Sequence, residues 1–257
     1  MNQHSHHCFH CGEPVPGSLD LRVTIFGKPE MMCCLGCQAV AEQIIELGLT
    51  DYYRHRTGFP AKPEELVPEQ IRELVFSKRI AKLAADLMKV DGVRLYHDQA
   101  LFKEAGGGIT PWHADQYYWP LSSDKTVTAW IPLQETPLEL GPLEFSAGSH
   151  QIVEGRDLSI SDESEKILSE KLRVSDFPHV VEAFDVGEVS FHSGWVFHRA
   201  GANNSELTRK VMTVIYMDKD MVLKKPENKN QIKDWNTWCP GAKVGEVIQT
   251  ELNPVIL

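Results

Sequence analysis

The pattern of apolar and polar positions changes period along the chain. Ile71, Leu74, Val75, Ile80, Leu83, Ala84 and Leu87 recur near the i, i+3, i+4 spacing of one buried helical face. A shorter helix is predicted over residues 38–47. From Val93 onward the period falls to two, with Asp91-Gly92 as a turn. Residues 93–96, 100–103, 127–133, 143–146, 189–192 and 211–217 read as short strands. Pro, Gly and Asn clusters separate them, and Gly106-Gly107-Gly108 interrupts the pattern. Many short strands divided by such turns predict a sandwich or barrel, a mainly β fold with flanking helices.

Composition divides the chain in two. Five of the six cysteines, Cys8, Cys11, Cys33, Cys34 and Cys37, precede residue 38, and all six tryptophans follow residue 111. A Pro-rich, charged stretch from Gly58 to Pro68 lies between these regions. The expected organisation is a small Cys-rich α+β unit over residues 1–60, a junction over residues 61–74 and a β domain over residues 75–257. The 257 residues carry a formal charge of −10, which argues against a nucleic-acid partner. No run approaches the roughly 20 apolar residues of a membrane span, and the N-terminus lacks an apolar core like that of a signal peptide. A cytoplasmic location is expected, where clustered thiols point to metal rather than to disulfides.

Cys8-x-x-Cys11 and Cys34-x-x-Cys37 can surround one ion with four thiolates, each pair turning two sulfurs toward a common point. Zn(II) is the first expectation and Cu(I) the second, since both accept soft ligands. Cys33 is placed to substitute for Cys34. His4, His6, His7 and His10 are either extra nitrogen ligands or part of a tail.

His113 and Asp115 stand two apart in a segment expected to be a strand, so their side chains share a face. With His198 from a distant strand they would form a two-histidine, one-carboxylate set that suits non-haem Fe(II). A reversal at Asn203-Asn204 would set Arg209 opposite His198 on an antiparallel pair. A guanidinium there would grip the distal carboxylate of 2-oxoglutarate, whose keto-acid end chelates iron. His97, His150, His179 and His192 are competing histidines, and His192 is the nearest rival. Tyr117, Tyr118 and Trp119 line a substrate pocket or serve as core aromatics.

Two resemblances follow from particular stretches. CFHCGEPVP at residues 8–16, MCCLGCQAVA at residues 32–41 and GLTDYYR at residues 48–54 resemble the N-terminal metal-binding domain of copper-translocating P-type ATPases, over about residues 8–74. The pump's membrane helices and nucleotide-binding domain do not follow within this chain, so ion pumping is not expected of it. VRLYHDQALFK at residues 93–103, TPWHADQYYWPL at residues 110–121, GPLEFSAGSH at residues 141–150 and HRAG at residues 198–201 resemble the phytanoyl-CoA dioxygenase family, from about Val75 onward. That likeness implies a double-stranded β-helix, or jelly roll. It also implies an Fe(II)- and 2-oxoglutarate-dependent dioxygenase acting on a small organic molecule and O2.

Carried over by position, His113, Asp115 and His198 match the iron ligands and Arg209 the co-substrate anchor. Gln99 and Trp130 match residues of the co-substrate pocket. A hydroxyl residue common two places after the distal histidine is Ala200 here. Because Asp115 is present, hydroxylation is expected rather than halogenation. The alternative is a Zn- or Cu-binding module fused to an inactive oxygenase scaffold.

Overall fold

The computed structural model describes residues 7–16, 20–59 and 68–257. The chain divides into two compact units, residues 1–68 and 69–257, so the second unit begins before the expected Val75. His4, His6 and most of the Pro-rich junction lie outside the described residues.

The described residues of the first unit form a hairpin and two helices. Strands β1 (Leu21–Ile25) and β2 (Lys28–Met32) pair antiparallel through a two-residue turn, Phe26-Gly27. Both turn residues have positive φ, 50° and 76°, as the right-handed twist of a tight hairpin requires. Helix α1 (Leu35–Glu46) follows, and Gly48, at φ 70°, closes its C-terminal end. A single turn, α2 (Tyr52–His55), brings Tyr53 against Cys8, Val23, Ile25, Met32 and Ala41.

The second unit opens with α3 (Glu69–Val75) and α4 (Lys78–Met88) in place of one continuous helix. Ser77 breaks the run by capping α4, its hydroxyl accepting from the Ile80 amide. The break rotates the expected stripe. Ala81, Ala84, Ala85 and Met88 face the core, while Leu83 and Leu87 are exposed.

Eight strands then form two four-stranded antiparallel sheets. They are β3 (Val93–Lys103), β4 (Thr110–His113), β5 (Thr126–Pro132), β6 (Leu143–Ser146), β7 (His179–Val181), β8 (Ser190–Ser193), β9 (His198–Ala200) and β10 (Arg209–Asp218). The major sheet runs β3-β10-β5-β8 and the minor sheet β4-β9-β6-β7. Such a pair of facing sheets is the jelly roll expected above. Two segments expected as separate strands, 93–96 and 100–103, are one strand, β3.

Period-two alternation sorts each strand of the major sheet. Val127, Ala129 and Ile131 on β5, with Met212, Val214 and Tyr216 on β10, pack outward against α4. Thr128, Trp130, Arg209, Thr213 and Ile215 face inward, onto the space between the sheets. Helix α5 (Asp162–Val174) covers the minor sheet, packing Leu168 and Leu172 on Trp112 and Phe197. Helix α6 (Lys229–Trp238) stands beside the inter-sheet cavity.

Ala84 is wholly enclosed between α4 and the major sheet. Ala84→Leu is expected to destabilise the protein by about 1–3 kcal/mol, read as a lower urea midpoint.

Candidate metal centres and the inter-sheet cavity

His113 ends β4, and His198, the first residue of β9, is its direct cross-strand partner. Their rings lie 4.2 Å apart. Asp115 is not on the strand, as its spacing suggested, but opens a 3-10 turn two residues beyond the strand end. Its Oδ1 still lies 3.6 Å from the Nε2 atoms of both histidines. One ion with bonds of about 2.1 Å can span such separations. The ligand atoms of the three residues all lie within 4.8 Å of one another.

Both histidines present the right nitrogen. His113 Nδ1 donates to the Pro111 carbonyl at 2.7 Å and His198 Nδ1 to the Val196 carbonyl at 3.0 Å. Since a carbonyl only accepts, the ring proton sits on Nδ1 and the Nε2 lone pair points into the site. Burial pulls both imidazoles down to about 4, so they are neutral at physiological pH. Burial pushes Asp115 up, but the His198, His192 and His113 rings outweigh it and hold the carboxyl well below its usual range. Two neutral imidazoles and a carboxylate form the donor set of a facial non-haem iron site. The residues present therefore fit Fe(II).

His192, the nearest rival in the sequence, sits beside the carboxylate of the triad. Its Nε2 lies 3.4 Å from Asp115 Oδ2, and the Thr128 hydroxyl donates to the same oxygen at 3.1 Å. The expected hairpin between His198 and Arg209 does not form. After Ala200 the chain crosses to the other sheet, where Arg209 pairs with Lys103 on β3. Asn203, expected at a reversal, anchors this crossover by donating to the carbonyls of Lys103, Glu104 and Leu207.

Arg209 and His198 nevertheless line one cavity of about 610 Å³ from opposite sheets. Arg209 is 4% exposed and donates to the Gly141 carbonyl. Among the described residues no carboxylate pairs with it. Burial lowers it to about 10, which leaves it charged. Its guanidinium carbon lies 5.5 Å from the centre of the Trp130 ring. Arg209 Nε and Trp130 Nε1 are enclosed without a hydrogen-bond partner. A buried, unpaired cation beside stranded donors calls for an anion, and the carboxylate of 2-oxoglutarate fits.

Gln99 also lines this cavity, as do Tyr118 and Trp119. Tyr117 instead holds α6, its hydroxyl accepting from Asn230 at 3.3 Å. Thr110, the cross-strand partner of Ala200, brings a hydroxyl to the wall where Ala200 has none.

Two contributors were missed by sequence reasoning. Lys103 lines the cavity and donates to the carbonyls of Gly108 and Gly201, and burial and then Arg209 lower it to about 8. Helix α6 contributes Asn230, Lys233, Asp234, Thr237 and Trp238. These fall on one face by their spacing, but the face is polar, so no apolar stripe marks the helix in the sequence. Burial raises the Asp234 carboxyl to about 7, where it accepts from the Tyr96 hydroxyl. His97 lines the same wall, stacked on Trp238, while His150 and His179 are exposed.

In the first unit the sulfurs of Cys8, Cys11, Cys33 and Cys37 lie within 4.8 Å of one another. Cys34, expected as the fourth ligand, is not in this cluster. It is exposed and caps α1, with its sulfur accepting from the Cys37 amide at 3.4 Å. Cys33, at the end of β2, takes its place, 3.5 Å from Cys11 and 3.6 Å from Cys37. Burial pushes Cys33 up to about 12, and the Cys11 thiol adds to it. For Cys8, amide donation from Cys11, Cys33 and His10 overcomes burial and brings it down to about 7. Four crowded thiols resist ionising together without a cation, so the cluster fits one soft metal ion. His10 is built into the fold, its Nδ1 lying 3.0 Å from the Tyr53 hydroxyl.

The phytanoyl-CoA dioxygenase (PhyH) family model matches residues 51–211, more than half of the chain. The chain belongs to the phytanoyl-CoA dioxygenase family. The match starts before Val75 and overlaps a second one, to the putative metal-binding domain of cation transport ATPase, over residues 7–79. A curated relative, a probable alpha-ketoglutarate-dependent hypophosphite dioxygenase of Stutzerimonas stutzeri, is 26% identical over 156 residues. That match covers 59% of this chain and 54% of the relative, so the chain spans about half of that protein's length.

Among solved structures, the epimerase SnoN in complex with Fe3+, alpha ketoglutarate and nogalamycin RO superposes with a TM-score of 0.61 at 25% identity. The superposition covers 74% of this chain and 75% of SnoN. The carbocyclase SnoK from nogalamycin biosynthesis shares the fold, with a TM-score of 0.60 at 24% identity over 87% of each chain. No helix among the described residues is long and apolar enough to cross a membrane.

Because His113 and His198 protonate only near 4, Co(II) affinity of this centre is expected to stay level down to about pH 5 and to fall through about pH 4. Calorimetric titration across pH checks it. An exposed pair of histidines would weaken already near 6.5. In the first unit, Cys33→Ser should lose the thiolate–metal absorbance, and Cys34→Ser should keep it.

Proposed function

We propose that the chain is an Fe(II)- and 2-oxoglutarate-dependent dioxygenase that hydroxylates a small organic molecule. His113, Asp115 and His198 hold iron, and Arg209 holds the co-substrate. The observation that carries this reading is a buried arginine, without a carboxylate partner among the described residues, sharing a cavity with a histidine–carboxylate–histidine triad. When bound, iron would couple O2 activation to the oxidative decarboxylation of 2-oxoglutarate to succinate and CO2.

The protein's own residues do the rest. Two Nδ1–carbonyl bonds fix the tautomers that offer Nε2 lone pairs, and Asp115 contributes the one negative charge. Arg209, stacked near Trp130, orients a distal carboxylate and leaves the keto-acid end free to face the triad. Gln99 and Thr110 add polar contacts along that wall. The α6 face presents Asn230, Lys233, Asp234 and Thr237 to the substrate. That face suits a small polar molecule better than a long acyl chain. The four-thiol cluster of the first unit holds a separate Zn(II) or Cu(I) ion.

The test is succinate formation from 2-oxoglutarate with Fe(II) and ascorbate. His113→Ala should abolish it, and Cys33→Ser should not. Arg209→Ala should raise the KM for 2-oxoglutarate by about 10- to 100-fold, the loss of one charge-assisted contact of roughly 1.5–3 kcal/mol. Unchanged KM in Arg209→Ala would point to a co-substrate other than 2-oxoglutarate.

A further inference from the structure

Resting on that reading, we propose that His192 is a positioning residue of the metal centre: with Thr128 it ties down one oxygen of Asp115, so that the carboxylate meets the metal through the other oxygen alone.

The two oxygens of Asp115 have different surroundings. Oδ1 faces both ligand histidines at 3.6 Å. Oδ2 takes the Thr128 hydroxyl at 3.1 Å and the His192 ring at 3.4 Å. Thr128 and His192 are direct cross-strand partners on β5 and β8, so register delivers both donors to the same atom. A carboxylate can only accept, which puts the His192 proton on Nε2. Its Nδ1 is then a bare lone pair, and that atom is enclosed without a partner. The opposite tautomer would strand a buried N–H and set two lone pairs against each other. His192 is 5% exposed and its ring lies 4.4 Å from that of His198, which leaves it little room to turn away.

The consequence is a matter of coordination number. An octahedral ion held by three single-atom ligands keeps three positions open, two for a chelating 2-oxo acid and one further site. A carboxylate free to rotate can chelate through both oxygens and take that further site. His192 and Thr128 oppose this by occupying Oδ2. They should matter little for metal or co-substrate binding and greatly for turnover.

The experiment compares the full-length wild type with His192→Leu, His192→Gln and Thr128→Val. With the four-thiol cluster first filled with Zn(II), it measures Co(II) affinity and the Co(II) visible spectrum at the His113–Asp115–His198 centre, and kcat and KM for succinate formation with Fe(II). In His192→Leu we expect kcat to fall by about 10- to 100-fold while KM for 2-oxoglutarate and Co(II) affinity stay within about threefold. The Co(II) spectrum should shift with the changed coordination. His192→Gln, which keeps an N–H donor, should recover most of the rate, and Thr128→Val, close in shape to the native residue, should move kcat and the spectrum the same way. An unaltered Co(II) spectrum and kcat in both His192→Leu and Thr128→Val would overturn the proposal. So would loss of Co(II) binding from a folded His192→Leu, which would make His192 a ligand. If the wild type forms no succinate, the dioxygenase reading fails, and the Co(II) measurements still decide the role of His192.

Discussion

One carboxylate gathers the second unit's chemistry. Asp115 faces the Nε2 atoms of His113 and His198 with one oxygen and accepts from His192 and Thr128 on the other. The first pair comes from β4 and β9 of the minor sheet and the second from β8 and β5 of the major sheet. The site is therefore a seam between sheets, assembled only when the sandwich closes. Burying a carboxylate is costly unless it is met by donors or cations. Here the His198, His192 and His113 rings outweigh the burial, and the carboxyl stays ionised.

Arg209 is the complementary charge. It enters the same cavity from β10 and, among the described residues, finds the Gly141 carbonyl rather than a carboxylate. An arrangement that leaves a buried guanidinium unpaired is poor for stability alone. It becomes reasonable when the missing partner is a ligand. Lys103 intensifies the same field, and its lowered value reflects burial beside Arg209. The opposite wall is polar for a different reason: α6 turns Asn230, Asp234 and Thr237 inward, where a helix on a sandwich would ordinarily present apolar residues.

The first unit obeys separate constraints. Its core is small, and part of it is sulfur: Cys8 and Met32 are almost fully enclosed, with their sulfurs 4.0 Å apart. A unit this size buries little apolar surface, and metal binding is a common means of completing such cores. The exposed Cys34 serves the backbone, satisfying an amide at the start of α1.

Period and spacing were enough to locate strands β3, β5, β6, β8 and β10 and the crowding of thiols before residue 38, because these are local properties of the chain, whereas α5 within the same stretch went unread. The tertiary structure alone decided the rest. Which of two adjacent cysteines joins the cluster depends on where β2 ends and α1 begins, a difference of one residue. The partner of His198 is His113 across a sheet, not Arg209 across a hairpin, because the chain leaves the minor sheet after Ala200. His192 stood only as a rival histidine in sequence because its neighbours, Asp115 and Thr128, lie on other elements. A linear pattern records which side of a strand a residue faces, but not which strand lies opposite it. That second relation is set by sheet order and closure, where long-range packing outweighs local preference.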